Sequence, residues 1–435
     1  MGRYSVGQWH TGLPNTDLPN TSMTISPIID PDVYTSGVPH ELFKELRDND
    51  PVHWIIDNDG SEGAGFWSLT RYADIIEASR QPKIFSSAKG IRIENMAEDE
   101  LIARTTMMEL DPPVHTNYRR MVSGPFHRKE MKNYEADLRK MAVAVIEEAM
   151  AKSEFDFTID IARQLPMRML GKLLGIPDED GPWLVAAGDA LIGNSDPEFT
   201  EFVVDQVDTE AYRLLPFRSP VSLKLFEFAG KMAAKKTKCP AHDVTSDLLK
   251  PNRDGERLSD LDFKNFFTLL VAAGNDTTRY TMAAGMKALL DHPDQLELLR
   301  ERPELIESAT EEMLRWGSVT MHFRRTLTQD YEMHGKTLKA GDRLVIWFIS
   351  GDYDERQFPD PFKFDITRTP NDHLAFGLKS PHKCLGEHLA RWEIRILFEE
   401  LIPRIKSIQQ NGAIDLLRSN FISGIKHLPV RVEWQ

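Results

Sequence analysis

The sequence predicts a mainly α-helical fold with a smaller β region, built as a single domain over residues 26–435 behind a flexible arm at residues 1–25. Three observations carry that expectation. From His115 to Leu299 apolar residues recur at helical spacing, with interruptions near Gly175–Asp180 and Pro216–Pro220. Within that stretch, Leu261–His292 is apolar around most of its circumference, which marks a helix running through the middle of a protein. Short strand patterns occur outside it, and no repeat, low-complexity tract or linker divides the chain.

The first residues are polar and rich in Pro, Asn and Thr, hence the arm. ELFKELRDNDPVHWII, ending at Ile56, reads as a helix, a proline-marked turn and a strand. GFWSLTR (Gly65–Arg71) is a second strand pattern, and the helix-like YADIIEASRQ follows it, so a small sheet is expected near this end. Between Phe85 and Leu110 regular periodicity is lost, as in a lid or a ligand-binding loop.

The chain has a formal charge of −14, which disfavours a nucleic-acid partner because phosphate binding needs excess Lys and Arg. Its two cysteines, Cys239 and Cys384, are too few for a disulfide framework, and the expected compartment is a reducing cytoplasm. No apolar signal region and no run of about 20 apolar residues is present, so no membrane span is expected.

Cys384 lies in the loop AFGLKSPHKCLG, and apolar Leu385, Leu389, Trp392, Ile396 and Leu397 follow at helical spacing. The cysteine is therefore expected at a helix N-terminus, where the dipole and free N–H groups favour a thiolate. Such a thiolate serves as a nucleophile, a redox sensor or a metal ligand; the plainer reading is a cysteine packed as a small hydrophobe. His382 and His388 flank it, so zinc is a further reading, although HExxH and a second cysteine pair are absent.

At the centre of the long helix stand Gly274, Asn275, Asp276, Thr277 and Thr278, mostly poor interior helix formers. Either this is a tolerated kink with a solvated acid, or an acid beside an alcohol in a groove, placed to pass protons to a bound species. On the second reading Gly274 leaves room for a ligand against the helix. In ESATEEMLRW, Glu312 and Arg315 share a helix face, and Arg368 follows in the Pro-rich PDPFKFDITRTP. A Glu held by two Arg side chains would fix that segment's course.

AGNDTT, EMLR, FDITR and the FG…HKCLG loop, in that order, resemble the cytochrome P450 haem-thiolate family over most of the chain. The resemblance implies a triangular-prism-like fold with haem b (iron protoporphyrin IX) between the long central helix and the cysteine-loop helix. It implies Cys384 as the proximal iron ligand, whose thiolate favours O–O cleavage, with Gly386 beneath the porphyrin and Phe376 near the sulfur. His115 and Arg119 of HTNYR, Arg325 of RRTLTQ, and His382 match the contacts to the haem propionates. Glu312, Arg315 and Arg368 match the family's structural network. Asp276 and Thr277, beside Gly274, match its acid–alcohol pair, which delivers protons to bound O2. The loop departs from the family pattern in carrying one added residue after Phe376 and Ser380 where a glycine is usual.

The same resemblance implies a monooxygenase that hydroxylates a hydrophobic small molecule at an unactivated C–H bond. Val271, Ala273, Val319 and Ile422 fall in the segments that line the substrate pocket, which are rich in apolar residues. GNSDPEF and ISGIKHLPV are similar to the bacterial branch acting on steroid side chains and terpene alcohols; fatty acids and small aromatic ethers are the alternatives. Electrons would come from NAD(P)H through a ferredoxin reductase and a separate ferredoxin. The ferredoxin would dock on Arg120, Arg128, Lys129, Lys379, Lys383 and Arg391. A cytoplasmic monomer is expected. The competing class is a haem-thiolate protein that binds a ligand without turnover, which would need no proton relay.

Overall fold

Ser259 starts the longest helix, Asp260–Asp291, with a reciprocal cap. Its Oγ accepts the Asp262 N–H at 3.1 Å, and the Asp262 carboxylate accepts the Ser259 N–H at 3.3 Å. At the other end Pro293 has no N–H with which to continue. At 1.5 Å per residue the helix is about 48 Å long. The computed structural model describes residues 26–57, 64–252 and 255–435; the arm expected over residues 1–25 lies outside them.

Apolar residues point from this helix in every direction, and the helices Gln164–Leu174, Gly181–Ile192, Val221–Lys238, Ile306–Gly317 and Glu387–Leu401 pack against it. Gly285 permits the closest of these approaches, because a Cβ there would stand 2.8 Å from Met313 of Ile306–Gly317. The expected polar break is not a break: the helix runs unbroken through Gly274–Thr278. Thr277 and Thr281 bond back to the carbonyls of Ala273 and Thr277 at 2.9 and 2.8 Å, so their hydroxyls are satisfied without leaving helical geometry.

The N-terminal strand patterns form one edge of a five-stranded sheet, two of whose other members come from far along the chain. Its order is Val52–Ile56, Gly65–Leu69, Arg343–Trp347, His322–Leu327, Phe85–Ser86. Arg343–Trp347 is buried along its whole length, as a central strand should be, and pairs parallel with Gly65–Leu69. Its antiparallel pairing with His322–Leu327 on the other side sets Arg325 opposite Leu344. A second sheet joins Glu154–Asp156, Pro429–Trp434 and Ile405–Gln410.

Residues 85–110 are more regular than their pattern predicts, since they hold the strand Phe85–Ser86 and the helix Glu98–Arg104. That helix begins with three acids, and the Glu100 carboxylate accepts the Ala97 N–H at 2.8 Å. Charge at its N-terminus, not an apolar stripe, defines it. Among the described residues no helix is long and apolar enough to cross a membrane.

Candidate active site

Cys384 stands two residues ahead of Gly386, the N-cap of Glu387–Leu401, and so lies before the helix rather than in its first turn. Its N–H is tied to the Phe376 carbonyl at 2.9 Å. The loop turns through positive φ at Gly377 (70°) and Lys379 (64°), not at Ser380. Ser380 instead accepts the His382 N–H on its Oγ at 3.1 Å, so the unusual serine stitches the turn. The Phe376 ring lies under the Arg391 guanidinium, 4.6 Å from its carbon.

The cysteine is exposed only towards hollows of the protein, where it lines a cavity of about 230 Å3. Burial pushes its thiol above the usual range; the Gly386 N–H, Arg119 and Arg391 oppose that shift and do not overcome it. Burial thus works against the helix end, and a bound cation would favour the thiolate. Among the described residues no cluster of three or more His, Cys, Asp or Glu is placed to hold a metal ion, and the zinc reading finds no support.

Across the same cavity stand Ala273, Gly274, Thr277 and Thr278 of the central helix, with Val319 of the turn after Ile306–Gly317. Gly274 does not hold open space for a ligand alone: a Cβ on it would meet Leu170 at 3.3 Å. A second chamber of about 320 Å3 shares Ala273, Thr277, Thr320 and Phe323 with the first and adds Ile422. Hydrogen bonds of 2.9 Å from Met321 N to Phe421 O and 2.8 Å from Ser423 N to Val319 O join the two segments that carry Val319 and Ile422. Val271 lines neither chamber. It is fully buried, and its carbonyl packs on Gly188, because on a helix apolar all round its position faces the neighbouring helix. The second chamber is also less apolar than its sequence segments suggest, since Arg92, Arg104, Glu109 and Asn265 line it.

Four basic side chains gather at one edge. His115 and Arg119 come from the helix Val114–Val122, Arg325 from its strand and His382 from the cysteine loop. The His115 and His382 rings are 4.2 Å apart. Both ring nitrogens of His115 and one guanidinium nitrogen of Arg119 are buried without a partner among the described residues. Burial, then Arg325, His115 and Arg119, push His382 down to about 2, and burial pushes Arg325 down to about 10. Burial and the neighbouring guanidinium groups thus disfavour charge on the imidazoles, and among the described residues no carboxylate forms an ion pair with any of the four.

Glu312 takes two 2.8 Å bonds from Arg315 and one of 3.2 Å from the Nε of Arg368. Arg368 also holds the carbonyls of Pro359 and Lys363 at 2.8 and 2.9 Å, and Arg315 holds that of Asp352 at 2.9 Å. The chain leading to the cysteine loop is thereby fixed.

Asp276 is not beside Thr277 in a groove. Successive helix residues point about 100° apart, so Thr277 faces both chambers while Asp276 is fully buried on another side. Its Oδ1 accepts from Asn275 at 2.7 Å and stands in ion-pair contact with Arg279 at 3.2 Å. Arg279 continues to Asp189 at 2.6 Å, and Asp189 meets Arg163, which is partly exposed. Burial lifts the Asp276 carboxyl to about 7. A second buried acid escaped notice in the sequence: Glu393 lines the cysteine cavity, near Thr278, and burial lifts it to about 8. The signal was present, since Glu393 continues the buried stripe of Leu389, Ile396 and Leu397 at i+4 spacing.

Comparison with known proteins agrees with this geometry. The family model for cytochrome P450 matches residues 223–415. A steroid C26-monooxygenase of Mycobacterium tuberculosis is 36% identical over 411 residues, covering 92% of this chain and 91% of the relative. The linalool 8-monooxygenase of Pseudomonas putida is 35% identical, covering 92% and 97%. A Mycobacterium marinum cytochrome P450 solved in complex with pseudoionone superposes with a TM-score of 0.84 at 33% identity, covering 94% and 100%. The chain belongs to the cytochrome P450 family. It is thus an oxidoreductase of the monooxygenase class with haem b as cofactor. The residues present fit that group: a cysteine open to a cavity and, at one edge, unpartnered cations suited to two buried carboxylates.

Proposed function

We propose that this P450 hydroxylates a terpenoid- or steroid-like molecule, with Cys384 as the axial ligand of haem and His115, Arg119, Arg325 and His382 as partners of its propionates. The observation that carries the cofactor assignment is the gathering of two arginines and two histidines, with orphaned nitrogens on His115 and Arg119, beside the cavity that Cys384 lines. When bound, haem activates O2 and supplies the oxygen atom that enters the substrate.

The protein's own part is positioning and proton supply. Thr277 faces both chambers and can trade its bond to the Ala273 carbonyl for one to a ligand or water. Asp276, lifted by burial to about 7, can take up and release a proton at physiological pH, but it lines neither chamber and would have to turn towards Thr277 to deliver it. A titratable acid next to Thr277 in the chain favours turnover over ligand sensing. Leu269, Phe323, Phe421 and Ile422 give the outer chamber its apolar wall. The named activities of the relatives, on steroids and linalool, support a substrate of that type.

A ferredoxin fits the face on the cysteine side, where Arg120, Arg128, Lys129 and Lys379 are exposed. Two residues of the expected patch contribute less: Lys383 and Arg391 are paired with Glu387 at 2.5 and 2.7 Å, and Arg391 also with Glu311. We place the enzyme in the cytoplasm as a monomer served by a ferredoxin and its reductase.

The test is the absorption spectrum of the reduced holoprotein under carbon monoxide. A strongly red-shifted Soret band is expected, and Cys384→Ala should abolish it. A wild-type protein without that band would overturn the assignment of Cys384.

A further inference from the structure

The outer chamber contains a charge that the mechanism does not use. Arg92 lines it but is absent from the lining of the cysteine cavity. Among the described residues its guanidinium has no hydrogen bond and no ion pair; instead its carbon lies 4.3 Å over the Phe421 ring and 5.8 Å from that of Phe217. The other charges of the chamber, Glu94 excepted, are satisfied within the protein. Asp205 is held by two bonds from Arg418, at 3.0 and 2.6 Å. Arg218 pairs with Glu100 at 2.8 Å, and Arg104 donates to the Arg213 carbonyl at 3.1 Å. Glu109 accepts from the N–H and hydroxyl of Thr106 at 2.9 and 2.7 Å. Glu94, the acid that acts on Arg92 through space, is exposed.

Arg92 is also held in place. The Ile91 carbonyl accepts from Arg324 N at 2.8 Å, the Ile93 carbonyl from Arg343 at 3.2 Å, and the Glu94 carbonyl from Arg324 at 2.7 Å. On the opposite side Phe217 and Arg218 adopt left-handed backbone (φ 59° and 50°), which non-glycine residues rarely take. The Asn194 amide fixes the Phe217 carbonyl at 3.0 Å. A preorganised guanidinium between two aromatic rings, without a partner in the protein, is a receptor for an anion that would replace its lost hydration.

Resting on the P450 reading above, we propose that the substrate is an apolar molecule ending in a carboxylate, that Arg92 binds this carboxylate in the outer chamber, and that oxidation falls on the remote, apolar part of the skeleton. Arg92 is then a specificity-determining residue that sets which end of the substrate enters first.

Farnesoic acid and methyl farnesoate test this, since they share one skeleton and differ in charge. Each is titrated into the holoprotein and followed by the substrate-induced shift of the Soret band. The acid should bind about tenfold more tightly than the ester. Arg92→Gln should remove that preference by weakening the acid alone, and Arg92→Lys should keep part of it. Equal affinity for acid and ester, no binding of the acid, or equal weakening of both in Arg92→Gln would overturn the proposal. The carbon monoxide spectrum of the same preparations separates the two failures: a red-shifted band without acid preference removes only the role of Arg92.

Discussion

Two buried carboxylates in this protein meet arginines and come to opposite ends. Glu312 receives five N–H donors, from Arg315 (two), Arg368, Asn371 and the Asp365 backbone. Asp276 receives one, from Asn275, with Arg279 in ion-pair contact at the same oxygen, and its other oxygen is buried without a partner among the described residues. The first is saturated and acts as a staple for the segment before the cysteine. The second is undersupplied and is lifted to about 7 by burial, although Arg279 opposes the shift. Donor count, more than the presence of arginine, is what differs between these two buried acids.

The sharpest way to break this contrast is Glu312→Gln. It leaves Arg315 and Arg368 facing a neutral amide in a dry site, where losing one partner of a buried pair costs about 3–5 kcal/mol. The expected outcome is loss of folded, haem-retaining protein, measured by haem content and by urea unfolding. A variant that keeps both would refute the staple.

Asp276→Asn should instead leave haem content intact and slow product formation by about 100-fold, read as product formed per NADH consumed and as turnover. It carries a second signature in stability. The native carboxyl titrates near 7 and the unfolded one near 3.8, so the native state binds more protons between those values. Its contribution to stability is therefore present at low pH and lost as pH rises from about 4 to about 7. Urea midpoints of the holoprotein across that window should show this falling component in the wild type and its absence in Asp276→Asn. An unchanged slope would show that the acid is not lifted.

The smallest effect concerns a residue on neither network. Val271→Ala should cost about 2 kcal/mol of stability through lost packing, with substrate-induced Soret shifts unchanged. Altered ligand affinity would return Val271 to the pocket wall.

Much of this was legible from spacing. Glu312 and Arg315 lie three apart on one helix, so their contact follows from helical geometry, and Thr277 lies four residues from the carbonyl it bonds. The acid–alcohol pair was legible as two residues but not as two directions, because adjacency in sequence is separation around a helix. Val271 was misassigned for a related reason: an all-round apolar helix offers no pattern to tell cavity wall from core. The helix Glu98–Arg104 has too few apolar residues to register as periodic, and the free state of Arg92 depends on where its neighbours' acids are already spent.

The strand His322–Leu327 deserves a last consequence. One of its arginines, Arg325, points into the cation cluster, and its neighbour Arg324 grips the loop bearing Arg92 from the other side of the backbone. Cofactor anchorage and substrate selection are thus measured from a single ruler. New specificities in this scaffold should arise by exchanging side chains upon the ruler and not by shifting it, since any displacement that retunes one reading misaligns the other.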